Sequence, residues 1–409
     1  MTASPPPLAE LFANDEQRVL LELRHDLHRQ PELAFAEHRT AERLERALSA
    51  LHPKGLARVA GTGIVARLAG SVSGAPAVAI RGDIDALPIQ EDTGLPFSSE
   101  RAGVMHACGH DVHATWAVGA AHLLAKRPAS GDVVILLQPA EETGRGALAM
   151  IEAGALDGVH AIFGGHVDRR FALGQIVADT GPLAAAADTF KIELIGSGAH
   201  GARPHEARDP IVAAGALIGS LQTIVARRLN PATPAVVSVG TVHGGTAPNV
   251  IPGSVTLSGT LRAMDPATRT LLHDEVERIA TGIATASGLE ARVSIEVGPP
   301  PVINPDTPIR WARTAVTRLL GASALVPLGF VNLAGEDFAC YQERMPGCFL
   351  RIGAREPDGA VIPAHSPKFY APDEAIFVGA AVLAETARVA IEELAGESRD
   401  EAEGVGGEE

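Results

Sequence analysis

From residue 63 to about 187 short apolar, β-rich runs alternate with helical stretches, and this alternation constrains the fold more than any other feature of the chain. The runs GIVARLAG, AVAIRGD, DVVILLQPA and HAIFGGH are separated by stretches of helical character, over 112–126 and near 144–154 among them. Strands joined through helices pair in parallel, and a parallel sheet is covered by helices on both faces, so the pattern predicts an α/β layer. Ahead of it Val19, Leu20, Leu23 and Leu27 fall at helical spacing, Pro31 breaks the pattern and residues 40–51 resume it. That predicts a helix, a turn and a helix.

The segment 188–298 has another rhythm. FKIELIG reads as a strand, 208–229 as a helix, AVVSVGTVHG and SVTLSGTLRA as two strands, 266–287 as a helix and EARVSIEVG as a strand. Strand, helix, strand, strand, helix, strand is the ferredoxin-like order, a small sheet with both helices on one side. PPPVINPDTP then returns the chain to α/β sequence and a last helix over about 373–395. The expected organisation is α/β: a discontinuous catalytic domain over 1–187 and 299–396 with a mostly parallel sheet covered by helices, an inserted ferredoxin-like α+β domain over 188–298, and a disordered acidic tail over 397–409. Open edge strands in the inserted sheet invite a second chain. A homodimer through this domain is therefore expected, with the Gly and Pro connectors near 181–188 and 298–308 as hinges of a lid.

A chain of 409 residues with 46% apolar residues can bury a sizeable core. Its formal charge of −15 argues against a nucleic-acid or anionic-membrane partner and leaves small molecules. Three cysteines, Cys108, Cys340 and Cys348, are too few for a disulfide framework and point to a reducing compartment. With neither a basic nor an apolar leader in MTASPPPLAELF, and no run approaching the ~18 apolar residues of a membrane span, a cytoplasmic protein is expected.

The chemistry gathers around MHACGHDVH, residues 105–113, and the ends of the β-rich runs. Asp83, Glu141, Glu142 and His166 each sit just past such a run, where open α/β sheets bind ligands. Cys108 and His110 lie at the start of the helix expected from Val112. Thiolate, imidazole and carboxylate suit zinc or a neighbouring transition metal. In extended backbone the adjacent Glu141 and Glu142 point opposite ways, so one could bind metal while the other faces substrate. Bland alternatives stand beside these: Asp111 as a helix cap, His205 and His243 as lid-surface residues, His25, His28 and His38 as solvent-facing or locally bonded groups, and Cys340 and Cys348 as core residues.

Ten ordered blocks between about 15 and 395 carry a resemblance: RHDLHRQPELAFAEHRTAERL, RGDIDALPI, MHACGHDVH, QPAEETGRGALAMIEAGAL, FGGH, GSGAHGARPHEARDPI, GGTAPNVIP, GEDFACY, PGCFLRIG and AHSPKFYAPDEA. The chain resembles the dinuclear metallo-amidohydrolases that include hippurate hydrolase, bacterial aminoacylases and plant indole-acetyl amino acid hydrolases. The resemblance implies two divalent ions, Zn, Mn, Co or Ni, with Cys108 as a bridging thiolate, His110 and His166 on one ion and Glu142 and His365 on the other. It implies Glu141 as general base and Asp83 as a carboxylate orienting a ligand. It also implies His200 as a lid histidine that reaches a partner subunit's site and stabilises the oxyanion, with Asn249 and Arg262 holding the substrate carboxylate. The implied reaction is hydrolysis of the amide of an N-acyl amino acid to a carboxylic acid and a free amino acid, or alternatively of a dipeptide.

Two rivals follow from the same residues. A cysteine hydrolase would use Cys108 as nucleophile with His110 or His113 as base, but leaves Glu142, His166 and His365 without a role. A non-catalytic binder of metal or amino acid conjugates would have no need of Glu141. Gly165 before His166, and VNL before the GED block, are positions where the chain departs from the family and are candidates for the acyl pocket.

Overall fold

Two runs in the first half of the chain, Val78–Asp83 (β3) and Val133–Gln138 (β4), are buried at every position, as strands covered on both faces must be. The computed structural model describes residues 8–404, with side chains to residue 396. Two helices precede the sheet, α1 (Asn14–Arg29) and α2 (His38–Ser49), on either side of Pro31. A seven-stranded sheet follows, with β1 (Gly55–Val59) and β2 (Gly63–Leu68) antiparallel at one edge. Its centre is parallel: β4, β3, β5 (Ala161–Ala172) and the strand Gly347–Arg355. All the donor-bearing strands therefore end on one side of the layer.

The helix α3 (His110–Lys126) has no polar stripe, because it is buried on all sides between α1, the strand β3 and the last helix, which starts at Glu374. Contact there is close. A Cβ on Gly119 would meet that of Ala380 at 2.9 Å, and one on Gly379 would stand 2.2 Å from the Trp116 ring.

The chain forms two compact units, one of residues up to Gly181, Asn304–Gly329 and those from Cys340 onward, the other of Pro182–Ile303 and Phe330–Ala339. In the second, four antiparallel strands lie in the order Ala235–Gly244, Ser254–Ala263, Ala186–Ile195, Glu290–Glu296. Burial alternates along Ala186–Ile195, and the helices Pro210–Thr223 and Pro266–Ala286 pack Leu217, Leu221, Leu272 and Val276 into a core of their own. This is the ferredoxin-like arrangement that the order of elements predicts.

Two expectations need correction. The stretch Pro210–Arg228 is long and apolar enough to cross a membrane by length and composition alone, and is the one such helix among the described residues. Interspersed Gly, Ser, Gln and Thr break its apolar run in the sequence, and its buried face serves the unit's core. The last helix continues to Gly404, past the expected end near 395 and into the tail expected to be disordered. Residues 405–409 of that tail lie outside the described residues.

Candidate metal centre

Five chain segments converge beyond the parallel strands. β3 ends on Asp83, with Asp85 two residues on. β4 runs into Ala140, which is held at φ +55° and turns the chain into Glu141–Thr143. His166 lies within β5. His110 opens α3, preceded by Gly109 at φ +90°, where a Cβ would stand 2.5 Å from Val167 Cγ2. His365, at φ +66°, is tied in through its N–H, which donates to the Ala107 carbonyl at 2.8 Å.

The donor atoms of three overlapping groups lie within 4.8 Å of one another: Cys108, His110 and His166; Cys108, Glu142 and His365; His110, Glu141 and Glu142. Cys108 Sγ is 3.1 Å from His166 Nε2, and His365 Nε2 is 3.3 Å from Glu142 Oε2. The ring Nδ1 of His166 donates to the Val167 carbonyl at 2.6 Å and that of His110 to the Asp85 carbonyl at 3.0 Å. Both rings therefore turn an Nε2 lone pair toward the cluster. His110 Nε2 and Glu142 Oε1 are buried, 3.8 Å apart and without a hydrogen-bond partner. Two orphaned acceptors facing each other beside a thiol are costly on their own and fit a bound cation.

Burial pushes the Cys108 thiol well above its usual range, and the charge of Glu142 adds to this. Burial also holds His166 well below the usual imidazole value, with neighbouring cationic groups, the Arg351 guanidinium among them, acting in the same direction. For His110 burial acts in the same sense, but Asp83, Asp85 and Cys108 outweigh it and raise the pKa, so a cation bound at Nε2 would displace a proton there.

Glu141 and Glu142 are not on extended backbone. They occupy a 3-10 turn, because the Asp85 carboxylate accepts the Glu141 N–H at 3.1 Å on one oxygen and the Glu142 N–H at 3.0 Å on the other. Their carboxylates share one neighbour instead of parting, each 3.8 Å from His110 Nε2. Asp111 is no cap: helix α3 begins before it, at His110, and its buried carboxylate binds Arg24 at 2.9 Å and His28 Nδ1 at 2.9 Å. His28 is correspondingly buried rather than solvent-facing, and His25 stacks on Phe97. Gly165 packs against Leu350 and Ile352 of the neighbouring strand.

Asp83 accepts from Arg81 and, at 2.7 Å, from His113 Nδ1, whose Nε2 in turn accepts the Val167 N–H at 3.0 Å. Asp83 thus steadies the strand that carries His166, whereas the group bonded to His110 is Asp85. Asp85 was missed as a site residue and His113 was named only as a base for the cysteine rival, although both stand inside quoted motifs, RGDIDALPI and CGHDVH. The signal was present as a second acid and a second imidazole at short spacing, without anything to say which one faces the donors.

In the second unit, His200 and Asn249 are brought together. His200 pairs with Val250 across a two-stranded ribbon, and the Gly201 N–H donates to the Asn249 carbonyl at 2.7 Å. His200 is exposed; its Nδ1 accepts the Ala202 N–H at 3.0 Å, which leaves the proton on Nε2. Arg262 lies apart from this pair, half-buried on the strand Ser254–Ala263 opposite Ala187 and Val236. His205 and His243 are exposed.

A parallel α/β sheet whose strand ends gather thiol, imidazole and carboxylate donors beside one further carboxylate is the frame of a metal-dependent hydrolase. The chain belongs to the peptidase family M20/M25/M40, which it matches over residues 79–389. It is 40% identical to an N-acetyl-L-cysteine deacetylase of Bacillus subtilis over 91% of this chain and 88% of that one. It is 37% identical to IAA-amino acid hydrolase ILR1-like 2 of Arabidopsis thaliana, over 90% and 84% of the two chains. The crystal structure of the Bacillus subtilis YXEP protein, described as a dinuclear metal-binding peptidase of the M20 family, superposes with a TM-score of 0.81 at 37% identity, covering 93% of this chain and 99% of that one.

Proposed function

We propose that the chain hydrolyses the amide bond of N-acyl amino acids, releasing a carboxylic acid and a free amino acid. The observation that carries this reading is the pair of orphaned acceptors, His110 Nε2 and Glu142 Oε1, set among three further donors and next to Glu141. Cys108, His110 and His166 would hold one divalent ion, and Cys108, Glu142 and His365 a second. When bound, such ions supply an acidified water and polarise the amide carbonyl. Glu141 takes the proton of the attacking water and delivers it to the departing amine. Asp85 and Asp83 keep the acid pair and the His166 strand in register.

In the second unit, His200 offers an Nε2–H suited to an oxyanion, and Asn249 and Arg262 are assigned to the substrate carboxylate. We assign His200 to the site of a second copy, which makes the working form a homodimer joined through this unit acting as a lid. The Bacillus deacetylase and the Arabidopsis hydrolase, by their names, act on amino acid conjugates, which favours the same substrate class here. The buried Cys108 and Cys348 thiols are in keeping with a cytoplasmic setting.

The test is a panel of N-acyl amino acids and dipeptides, assayed after chelation and again with Zn, Mn, Co or Ni restored. Turnover of acylated amino acids that is lost on chelation and regained with metal supports the reading. Preference for dipeptides would make the protein a peptidase instead, and turnover indifferent to chelation would return Cys108 to the role of nucleophile.

A further inference from the structure

We propose that Glu37, more than a hundred residues before the acid pair in sequence, is the positioning residue that sets Glu141 and Glu142 in place; the inference rests on the reading of those two residues given above. Glu37 is fully buried. One of its oxygens accepts the Ala140 N–H at 3.0 Å and the Phe35 N–H at 3.0 Å, while the other accepts the Thr62 hydroxyl at 2.6 Å. Ala140 is a non-glycine residue in the left-handed region, at φ +55° and ψ 38°, a conformation that persists only where neighbours over-determine it. Its carbonyl is held as well, accepting from the Thr143 hydroxyl at 3.0 Å and the Gly146 N–H at 3.2 Å.

Three consecutive amides, of Ala140, Glu141 and Glu142, thus end on buried carboxylate oxygens, the first on Glu37 and the next two on Asp85. Without the Glu37 acceptor the Ala140 amide would be buried and unsatisfied, and the residue would relax toward ordinary φ, swinging both carboxylates away from His110. The role requires an oxygen at that point and not a charge. Glutamine provides the oxygen and can donate to the Thr62 hydroxyl with its amide, whereas aspartate keeps the charge but draws the oxygen back by one methylene.

Glu37→Gln and Glu37→Asp separate the two accounts. Each variant is prepared metal-free, titrated with Co²⁺ by visible absorption, and assayed with saturating metal for kcat and KM. Glu37→Gln should stay within about threefold of the parent in both Co²⁺ affinity and kcat, while Glu37→Asp should lose about 10- to 100-fold in affinity and a comparable factor in kcat at nearly constant KM. Glu37→Asp equal to the parent, or Glu37→Gln the more impaired of the two, would overturn the proposal, whatever either does to the melting temperature. The Co²⁺ titration needs no substrate. Failure of the parent enzyme on every N-acyl amino acid would therefore count against the proposed function and leave the test of Glu37 standing.

Discussion

His110 donates its Nδ1–H to the main-chain carbonyl of Asp85 at 3.0 Å, with the carboxylate of the same residue 3.2 Å away. One aspartate thereby fixes the imidazole tautomer and, through its two oxygens, the amides of Glu141 and Glu142. Asp85→Ala keeps the main-chain carbonyl that holds the His110 ring but removes the carboxylate, leaving the Glu141–Glu142 turn unsupported. The expected loss is about 10- to 100-fold in metal affinity with a fall in kcat, the usual effect of removing a group that orients a ligand. Equilibrium dialysis against a graded metal buffer reads it, and unaltered affinity would deny Asp85 this role.

Glu141→Gln keeps the shape of the turn and removes the base. Turnover should drop by about 10²- to 10⁴-fold with metal content unchanged, measured by elemental analysis of the dialysed protein alongside the assay. Near-parental activity would move the base elsewhere.

Much of this was legible in the sequence, and what was not is instructive. The alternation of buried runs specified the parallel sheet because β3 and β4 have no exposed face to interrupt them. The donors Cys108, His110, Glu142, His166 and His365 could be named from ordered motifs and stand together in the structure. The supports of the donors were opaque. Glu37 reaches Ala140 across the fold, His28 reaches Asp111, and it is Asp85 that accepts the His110 Nδ1–H while Asp83 stands 3.8 Å from Nε2; each depends on a side-chain direction that the residue type does not fix. The backbone of Glu141 and Glu142 was misjudged for the same reason, since the 3-10 turn is held from outside by Asp85.

His28 supplies a pH prediction. Although burial disfavours its charge, the Asp111 carboxylate and the bond to Glu91 raise its pKa to about 9, above the ordinary 6.5, within a pocket that Arg24 and His106 also line. A group with a raised folded-state pKa contributes stability that is complete below about pH 6.5 and is lost as pH rises through 9. Glu91, held down at about 2, stays charged throughout that window. The difference in melting temperature between the parent and His28→Gln should therefore be largest at pH 6 and shrink by pH 9.5. A constant difference would mean that His28 is neutral in the folded protein.

Packing beneath the site gives a stability prediction. Gly379 lies against the Trp116 ring, where an added Cβ would come within 2.2 Å of ring carbon. Gly379→Ala should cost about 1–3 kcal/mol by forcing the last helix away from α3, read as a lower urea midpoint at unchanged slope. An unchanged midpoint would show that the two helices have slack.

The central claim is that Cys108, His110, Glu142, His166 and His365 hold two cations between them. Crystals grown with manganese or zinc, measured at the absorption edge of the metal, test it most directly. Two anomalous peaks are predicted, one bounded by Cys108, His110 and His166 and the other by Cys108, Glu142 and His365. Peaks bound by other side chains, or a metal-saturated, active enzyme with no peak at Cys108, would contradict it.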